Sequence, residues 1–316
     1  MGVLSRRFLE RLVSGKPLLL DAAMGTELQR RDADTALPLW SARTLLKDPE
    51  LVWTIHGDEA AAGAEILTAN TFRTHARTLA KADLASRSGE LTALAVQLAH
   101  QAASVPGREI FVAGSLAPLE DCYRPDLVPD QTSVEREHGA QARFLAEAGV
   151  DLILAETHNT IREAAAALAA GKAAGVPVVL SLVTDGEGKL LSGERLEDAV
   201  AALLPLSPDA LGINCVPTAR LAEDLERLAA AAPGRPLAAY GNLGLPSDDR
   251  GWSFTEELEP ERYAEQAARW IAAGARIVGG CCGTTPEHTR ALRRLLDDQE
   301  RLSPSASSSS IASPKE

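Results

Sequence analysis

Eight short apolar runs, each ending in a polar residue or a glycine, constrain this chain more than any other feature of its sequence. They are Leu18-Leu19-Leu20 before Asp21, Ala64 to Leu67 before Thr68-Ala69-Asn70, Ile110 to Ala113 before Gly114-Ser115, and Leu152 to Ala155 before Glu156. The beat continues with Val178 to Leu180 before Ser181, Leu211 to Ile213 before Asn214-Cys215, Leu237 to Tyr240 before Gly241-Asn242, and Ile277-Val278 before Gly279-Gly280-Cys281. None alternates apolar with polar residues, so each reads as a strand buried on both faces of a parallel sheet. Between them lie Ala- and Leu-rich stretches with charges at helical spacing, over Glu90 to Ala103, Ser133 to Ala148, Ile161 to Ala174, Leu196 to Leu204, Ala219 to Ala232 and Pro260 to Ala273.

Eight strand-helix units predict an α/β fold, a (β/α)8 TIM barrel. An open doubly wound sheet is the competitor, but no Gly-x-Gly-x-x-Gly follows the first run. Leu4 to Ser14 predicts an amphipathic helix with Phe8, Leu9, Leu12 and Val13 on one side, placed to cover the barrel floor. Residues 1–300 read as one barrel domain including that helix, and residues 301–316, rich in serine, as a disordered tail.

The polar residues closing the runs all sit at strand C-termini, the face where barrel enzymes keep their chemistry. Two connections on that face are long: Leu116 to Thr132, and Leu243 to Glu259 with Asp248-Asp249-Arg250-Gly251-Trp252 inside it. Both are candidate substrate covers.

A net charge of −12 argues against a nucleic-acid groove and against docking on anionic lipid. No apolar run reaches membrane-spanning length, and the first ten residues lack the apolar core of a secretion signal. Only four cysteines in 316 residues point to a reducing, cytoplasmic setting.

Those cysteines carry the chemical signal. Cys281 and Cys282 are adjacent, in a turn between an apolar strand and a helix start at Thr285-Pro286, where Thr285 is an N-cap and Pro286 a first helical residue. A disulfide between neighbours would be strained, so the pair reads instead as two thiolates aimed at one point. Cys215, closing another strand, supplies a third. Three thiolates without an obvious fourth donor describe a catalytic Zn2+ site with one open position. Cys122 lies in a Pro-rich loop and reads as unrelated.

The segments Asp21-Ala22-Ala23-Met24-Gly25-Thr26-Glu27-Leu28, Ala69-Asn70-Thr71-Phe72, Gly212-Ile213-Asn214-Cys215 and Gly279-Gly280-Cys281-Cys282-Gly283-Thr284 resemble the homocysteine S-methyltransferase family. That family includes betaine-dependent and S-methylmethionine-dependent enzymes and the homocysteine module of methionine synthase. The likeness runs from Pro17 to Leu296. It implies a zinc-bearing barrel with Cys215, Cys281 and Cys282 as ligands. It implies that Asp21 and Glu156 hold the homocysteine ammonium, that backbone amides at Ala22 and Ala23 hold its carboxylate, and that Asn70 and Asn214 are pocket or supporting residues. Two positions depart from the family pattern. Ala22 stands where a glycine is usual, and Tyr240-Gly241-Asn242-Leu243-Gly244 replaces the usual Tyr-Pro-Asn-Ser-Gly. The implied partners are homocysteine and a small cationic methyl donor, with S-methylmethionine or S-adenosylmethionine favoured and betaine the alternative.

The chemistry fits these residue types. A free thiol is mostly protonated at neutral pH, and metal binding deprotonates it. Three thiolates and Zn2+ sum to −1, and homocysteine would make it −2, an anionic cluster suited to a cationic donor. Plainer readings stand beside this one. Asp21 could cap the turn after it, Glu156 could serve a structural ion pair, Asn70 and Asn214 could satisfy loop backbone, His75 and His158 could be hydrogen-bonded core histidines, and Tyr240 and Trp252 could be packing residues. Two further classes compete, a Schiff-base or phosphate-handling barrel and a non-catalytic zinc-thiolate or redox protein. None of the six lysines closes a strand, which weighs against the first.

Overall fold

The computed structural model describes residues 2–247, 251–253 and 259–302. Eight parallel strands close into a barrel, in the sequence β1 (Leu18–Leu19), β2 (Ile66–Ala69), β3 (Phe111–Ser115), β4 (Leu152–His158), β5 (Val178–Leu182), β6 (Ala210–Pro217), β7 (Leu237–Asn242) and, last, β10 (Ala275–Gly280). β10 pairs with both β7 and β1, and the ring shuts between β1 and β2 through a parallel bridge of Leu20 to Ile66. A small antiparallel hairpin, β8 (Leu245–Ser247) with β9 (Gly251–Ser253), is inserted after β7. The expected (β/α)8 barrel is the observed fold.

The reason for the unalternating runs is visible in the packing. Leu18, Leu20, Ile66, Leu152, Leu154, Val179, Ala238 and Ile277 fill the barrel interior. Their chain neighbours Leu19, Ile153, Val178, Leu180, Ala239 and Val278 face outward into a second core shared with the helices. Both faces of every strand must therefore be apolar.

The outer ring is built by α4 (Pro49–Ala62), α6 (Ser88–Ala103), α7 (Gln131–Ala148), α8 (Ile161–Ala173), α9 (Leu196–Leu203), α10 (Thr218–Ala231), α11 (Pro260–Ala272) and α12 (Pro286–Leu302). Local chemistry sets several ends. Asp48, Asp130 and Thr160 accept amides as N-caps of α4, α7 and α8, and Gly63 and Gly149 end α4 and α7 in the left-handed region. At α12 the Thr285 amide donates to His288 Nδ1, a histidine standing in for the acid of a capping box.

The first helix, α1 (Val3–Val13), covers the barrel floor as expected, with Phe8 edge-on to Phe111 at 5.7 Å and Leu12 in the same interior cluster. Its apolar stripe is narrower than the sequence predicts, because Val13 is 74% exposed at the helix end while Ser5 turns inward. No helix among the described residues is long and apolar enough to cross a membrane. The expected domain end at 300 falls within the last turn of α12, and the serine-rich tail from Ser303 lies outside the described residues.

Candidate metal centre and substrate cavity

A cavity opens at the C-terminal face of the barrel. The strand-end residues Asp21, Thr68, Asn70, Ser115, Glu156, Cys215, Tyr240, Cys281 and Cys282 line it. The sequence-predicted site residues thus come together, Asn214 lying buried just beneath.

The thiols of Cys215, Cys281 and Cys282 lie within 4.8 Å of one another. Cys215 and Cys282 are 3.9 Å apart, sulfur to sulfur. Tetrahedral zinc with bonds of about 2.3 Å would set sulfurs about 3.8 Å apart, so the three residues fit such an ion, and an all-sulfur donor set favours zinc among divalent metals. Cys122 stays outside this group, although it lines the same cavity.

Backbone strain aims the first of these thiols. Cys215 has φ +56°, at a register shift in β6 between Asn214 and Pro217. A matching shift in β4 puts Thr157 at φ +63°, costly for a β-branched residue. Asn214 ties the two irregularities together. Its Oδ1 accepts the Thr157 amide at 3.0 Å, and its Nδ2 donates to Thr157 Oγ1 at 2.8 Å. Asn214 is therefore a supporting residue on a strained turn. For the paired cysteines the turn depends on Gly283, at φ +88°, where a Cβ would collide with the Leu243 carbonyl.

Burial and mutual hydrogen bonding split the three thiols. Hydrogen bonds from Cys215 and Cys282 pull Cys281 down to about 5, while the same sharing pushes Cys215 and Cys282 upward.

The two carboxylates are held differently. Asp21 accepts the Thr68 amide at 2.7 Å on one oxygen and Thr68 Oγ1 at 2.8 Å on the other, fastening β1 to β2. It does not cap α2 (Met24–Arg30), whose N-terminus has no side-chain cap. Burial raises its pKa well above the carboxylate range, with Glu59 adding to the rise. Glu156 accepts from Ser115 Oγ at 2.5 Å, and burial lifts it to about 7. Each carboxylate oxygen offers about two lone pairs, so both groups keep capacity for an ammonium.

Ala22 does not have a positive φ, so the alanine is unstrained. Its amide faces the buried Glu59 carboxylate of α4, which also accepts from Thr289 Oγ1 at 2.7 Å. Asn70 donates to the Ser41 carbonyl at 3.0 Å while lining the cavity.

The histidines serve the fold. His75 caps α5 (Ala76–Ala80), and His158 lies 3.2 Å from the Leu116 carbonyl oxygen through Nε2. Tyr240 is buried beside Glu156, and Trp252 donates to the Leu243 carbonyl at 3.0 Å with its ring on the cavity wall.

Several cavity residues escaped the sequence reading, among them Trp40, Arg73 and Tyr123. Tyr123, in the long connection after β3, places its hydroxyl 3.0 Å from Cys215 Sγ. The length of that loop was the only signal. No lysine among the described residues lines the cavity, which weighs against an imine nucleophile there.

The family model for homocysteine S-methyltransferase matches residues 18–296. The chain is 30% identical to a selenocysteine Se-methyltransferase of Brassica oleracea var. italica, over 94% of each protein. It is 35% identical to a homocysteine S-methyltransferase of Escherichia coli, over 87% of this chain and 94% of that one. The crystal structure of the homocysteine methyltransferase MmuM from Escherichia coli in its metallated form superposes with a TM-score of 0.77, covering 92% of this chain and 99% of that one at 30% identity.

Proposed function

The chain belongs to the homocysteine S-methyltransferase family, and we propose that it moves a methyl group from a sulfonium donor, S-methylmethionine or S-adenosylmethionine, to homocysteine with Zn2+ held by Cys215, Cys281 and Cys282. The observation that carries this reading is the meeting of three thiols from two distant strands at the mouth of one cavity. When bound, zinc supplies the charge that keeps a thiol ionised near neutral pH.

The chain's own residues then bind and align. Asp21 and Glu156 take the homocysteine ammonium, whose charge offsets the burial that otherwise keeps both acids protonated. The ammonium thus enters a site made for one cation. The amides of Ala22, Ala23 and the uncapped first turn of α2 are available to the carboxylate, that of Ala22 also facing Glu59. Asn70 and Asn214 hold the surrounding loops. Trp40, Phe72, Tyr123 and Trp252 form an aromatic wall suited to an onium methyl group.

The displacement needs little else. The homocysteine sulfur lone pair forms the new bond to methyl carbon, the donor's carbon–sulfur bond breaks, and the donor leaves as a neutral thioether. No proton moves in that step, so positioning supplies the rate. The thiol proton has already left to solvent when homocysteine binds.

We place the enzyme in the cytoplasm, where four free thiols stay reduced, as one barrel domain. Likeness to a selenocysteine methyltransferase favours a second acceptor reading, a selenol in place of the thiol. Zinc-loaded protein incubated with homocysteine or selenocysteine and with S-methylmethionine, S-adenosylmethionine or betaine tests all of this. Methionine from a sulfonium donor is the expected product, and no methylated product with any pair would defeat the reading.

A further inference from the structure

Among the described residues the cavity lining holds one cationic side chain, Arg73, beside the acidic Asp21, Asp121 and Glu156 and the three thiols. A cation works against a site that must attract an onium donor, unless it has an anion of its own to hold. Arg73 has little else to do. Among the described residues it forms no ion pair, its Nη1 makes one long bond of 3.4 Å to the Glu120 carbonyl, and its buried Nε has no acceptor. Its guanidinium carbon lies 5.3 Å from the centre of the Phe72 ring, which holds the plane of the fork in place.

Its position selects the ligand. Arg73 bonds to the connection that also carries Tyr123, whose hydroxyl reaches Cys215 on the metal side. The backbone amides suited to the homocysteine carboxylate lie elsewhere, after Asp21. A guanidinium fork is built for a planar, two-oxygen anion.

We propose that Arg73 binds a carboxylate of the methyl donor, so that the enzyme selects onium donors bearing a carboxylate over those without one. This rests on the methyl-transfer reading above and narrows its substrate class. The donor then spans the cavity, with its methyl group directed toward the thiols and its carboxylate held at Arg73.

The test compares S-methylmethionine with its decarboxylated analogue, 3-aminopropyl dimethylsulfonium, in wild type, Arg73→Met and Arg73→Lys, by kinetics and by calorimetric binding to the zinc-loaded protein. Wild type is expected to favour the carboxylated donor roughly tenfold to hundredfold in kcat/KM, the worth of a charged hydrogen-bonded pair. In Arg73→Met that ratio should collapse toward one through the donor KM, with homocysteine KM kept, and S-methylmethionine binding should weaken in step. Arg73→Lys should recover part of the ratio, and it covers a failure of the methionine variant to fold. A raised homocysteine KM with the donor ratio intact would overturn the proposal, because the residue would then serve the acceptor. Equal losses with both donors would also overturn it. Wild type that binds S-methylmethionine through Arg73 without turning it over would instead sink the methyl-transfer reading and leave this one standing.

Discussion

Cys215 and Cys282 stand 67 residues apart in sequence and 3.9 Å apart in space, sulfur to sulfur. Parallel strands β6 and β10 flank β7 in the ring, so their C-terminal ends are next-but-one neighbours at the barrel mouth. The bulge that puts Cys215 at φ +56° turns its thiol toward the pair in the turn after β10. Neither strand alone could make the site.

Replacing any one of Cys215, Cys281 and Cys282 by alanine is expected to lower bound zinc from one ion per chain toward none and to abolish methyl transfer. Far-ultraviolet circular dichroism should stay that of the parent, because each thiol sits at the mouth of the barrel. Inductively coupled plasma mass spectrometry gives the metal content. Full zinc occupancy in all three variants would remove the metal assignment.

Asn214→Ala removes both bonds that hold Thr157 at its positive φ. Leaving the buried Thr157 amide without an acceptor should cost about 1–3 kcal/mol, read by denaturant unfolding. Loss of the turn's support should also weaken zinc binding about tenfold or more in a chelator competition. Stability and affinity both at parental values would show that the bulges hold themselves.

The pH behaviour of Glu156 follows from its burial. Its pKa in the folded protein, about 7, lies above the ordinary 4.5, so the folded chain keeps a proton that the unfolded chain loses. That stabilisation is complete below the unfolded value and is lost as pH rises through about 7. Thermal stability without substrate should therefore fall between pH 5 and 8, roughly, and Glu156→Gln should reduce the slope, leaving the share of Glu59, which burial also raises to about 7. Homocysteine binding runs the other way, because its ammonium needs the ionised acid, so KM should fall with rising pH in the parent and lose that dependence in the variant. A parental slope retained in Glu156→Gln would assign the titration to another group.

Gly283→Ala forces a side chain into the left-handed region and against the Leu243 carbonyl oxygen. The expected cost is about 1–3 kcal/mol in stability, together with reduced zinc content, because the backbone between Cys282 and α12 must shift. Unfolding and metal analysis together check it. A parental Tm with full metal would show that the turn adapts freely.

Much of this was legible in the chain itself. The runs from Leu18 to Val278 announced two-faced strands because the interior and the helix layer both demand apolar side chains, and Leu18 and Leu19 do face opposite ways. Cys281 and Cys282 were readable as a pair because adjacency excludes an ordinary disulfide. Tyr123 was hidden, since a loop's path is set by distant packing and nothing local says which side chain will bend back to Cys215. Glu59 was hidden for the same reason. It sits in the middle of α4, and only the folded barrel brings it to Ala22 and Thr289. The backbone strain at Thr157 and Cys215 had no signature either, both being residues that ordinarily avoid positive φ.

The central claim is that three protein sulfurs hold one zinc and leave room for a fourth. X-ray absorption at the zinc edge, on protein loaded with one equivalent of metal, measures this before and after homocysteine is added. About three sulfurs and one lighter atom are expected at first, and about four sulfurs once homocysteine is present. A shell that already holds four protein ligands, or one that homocysteine leaves unaltered, would contradict that claim.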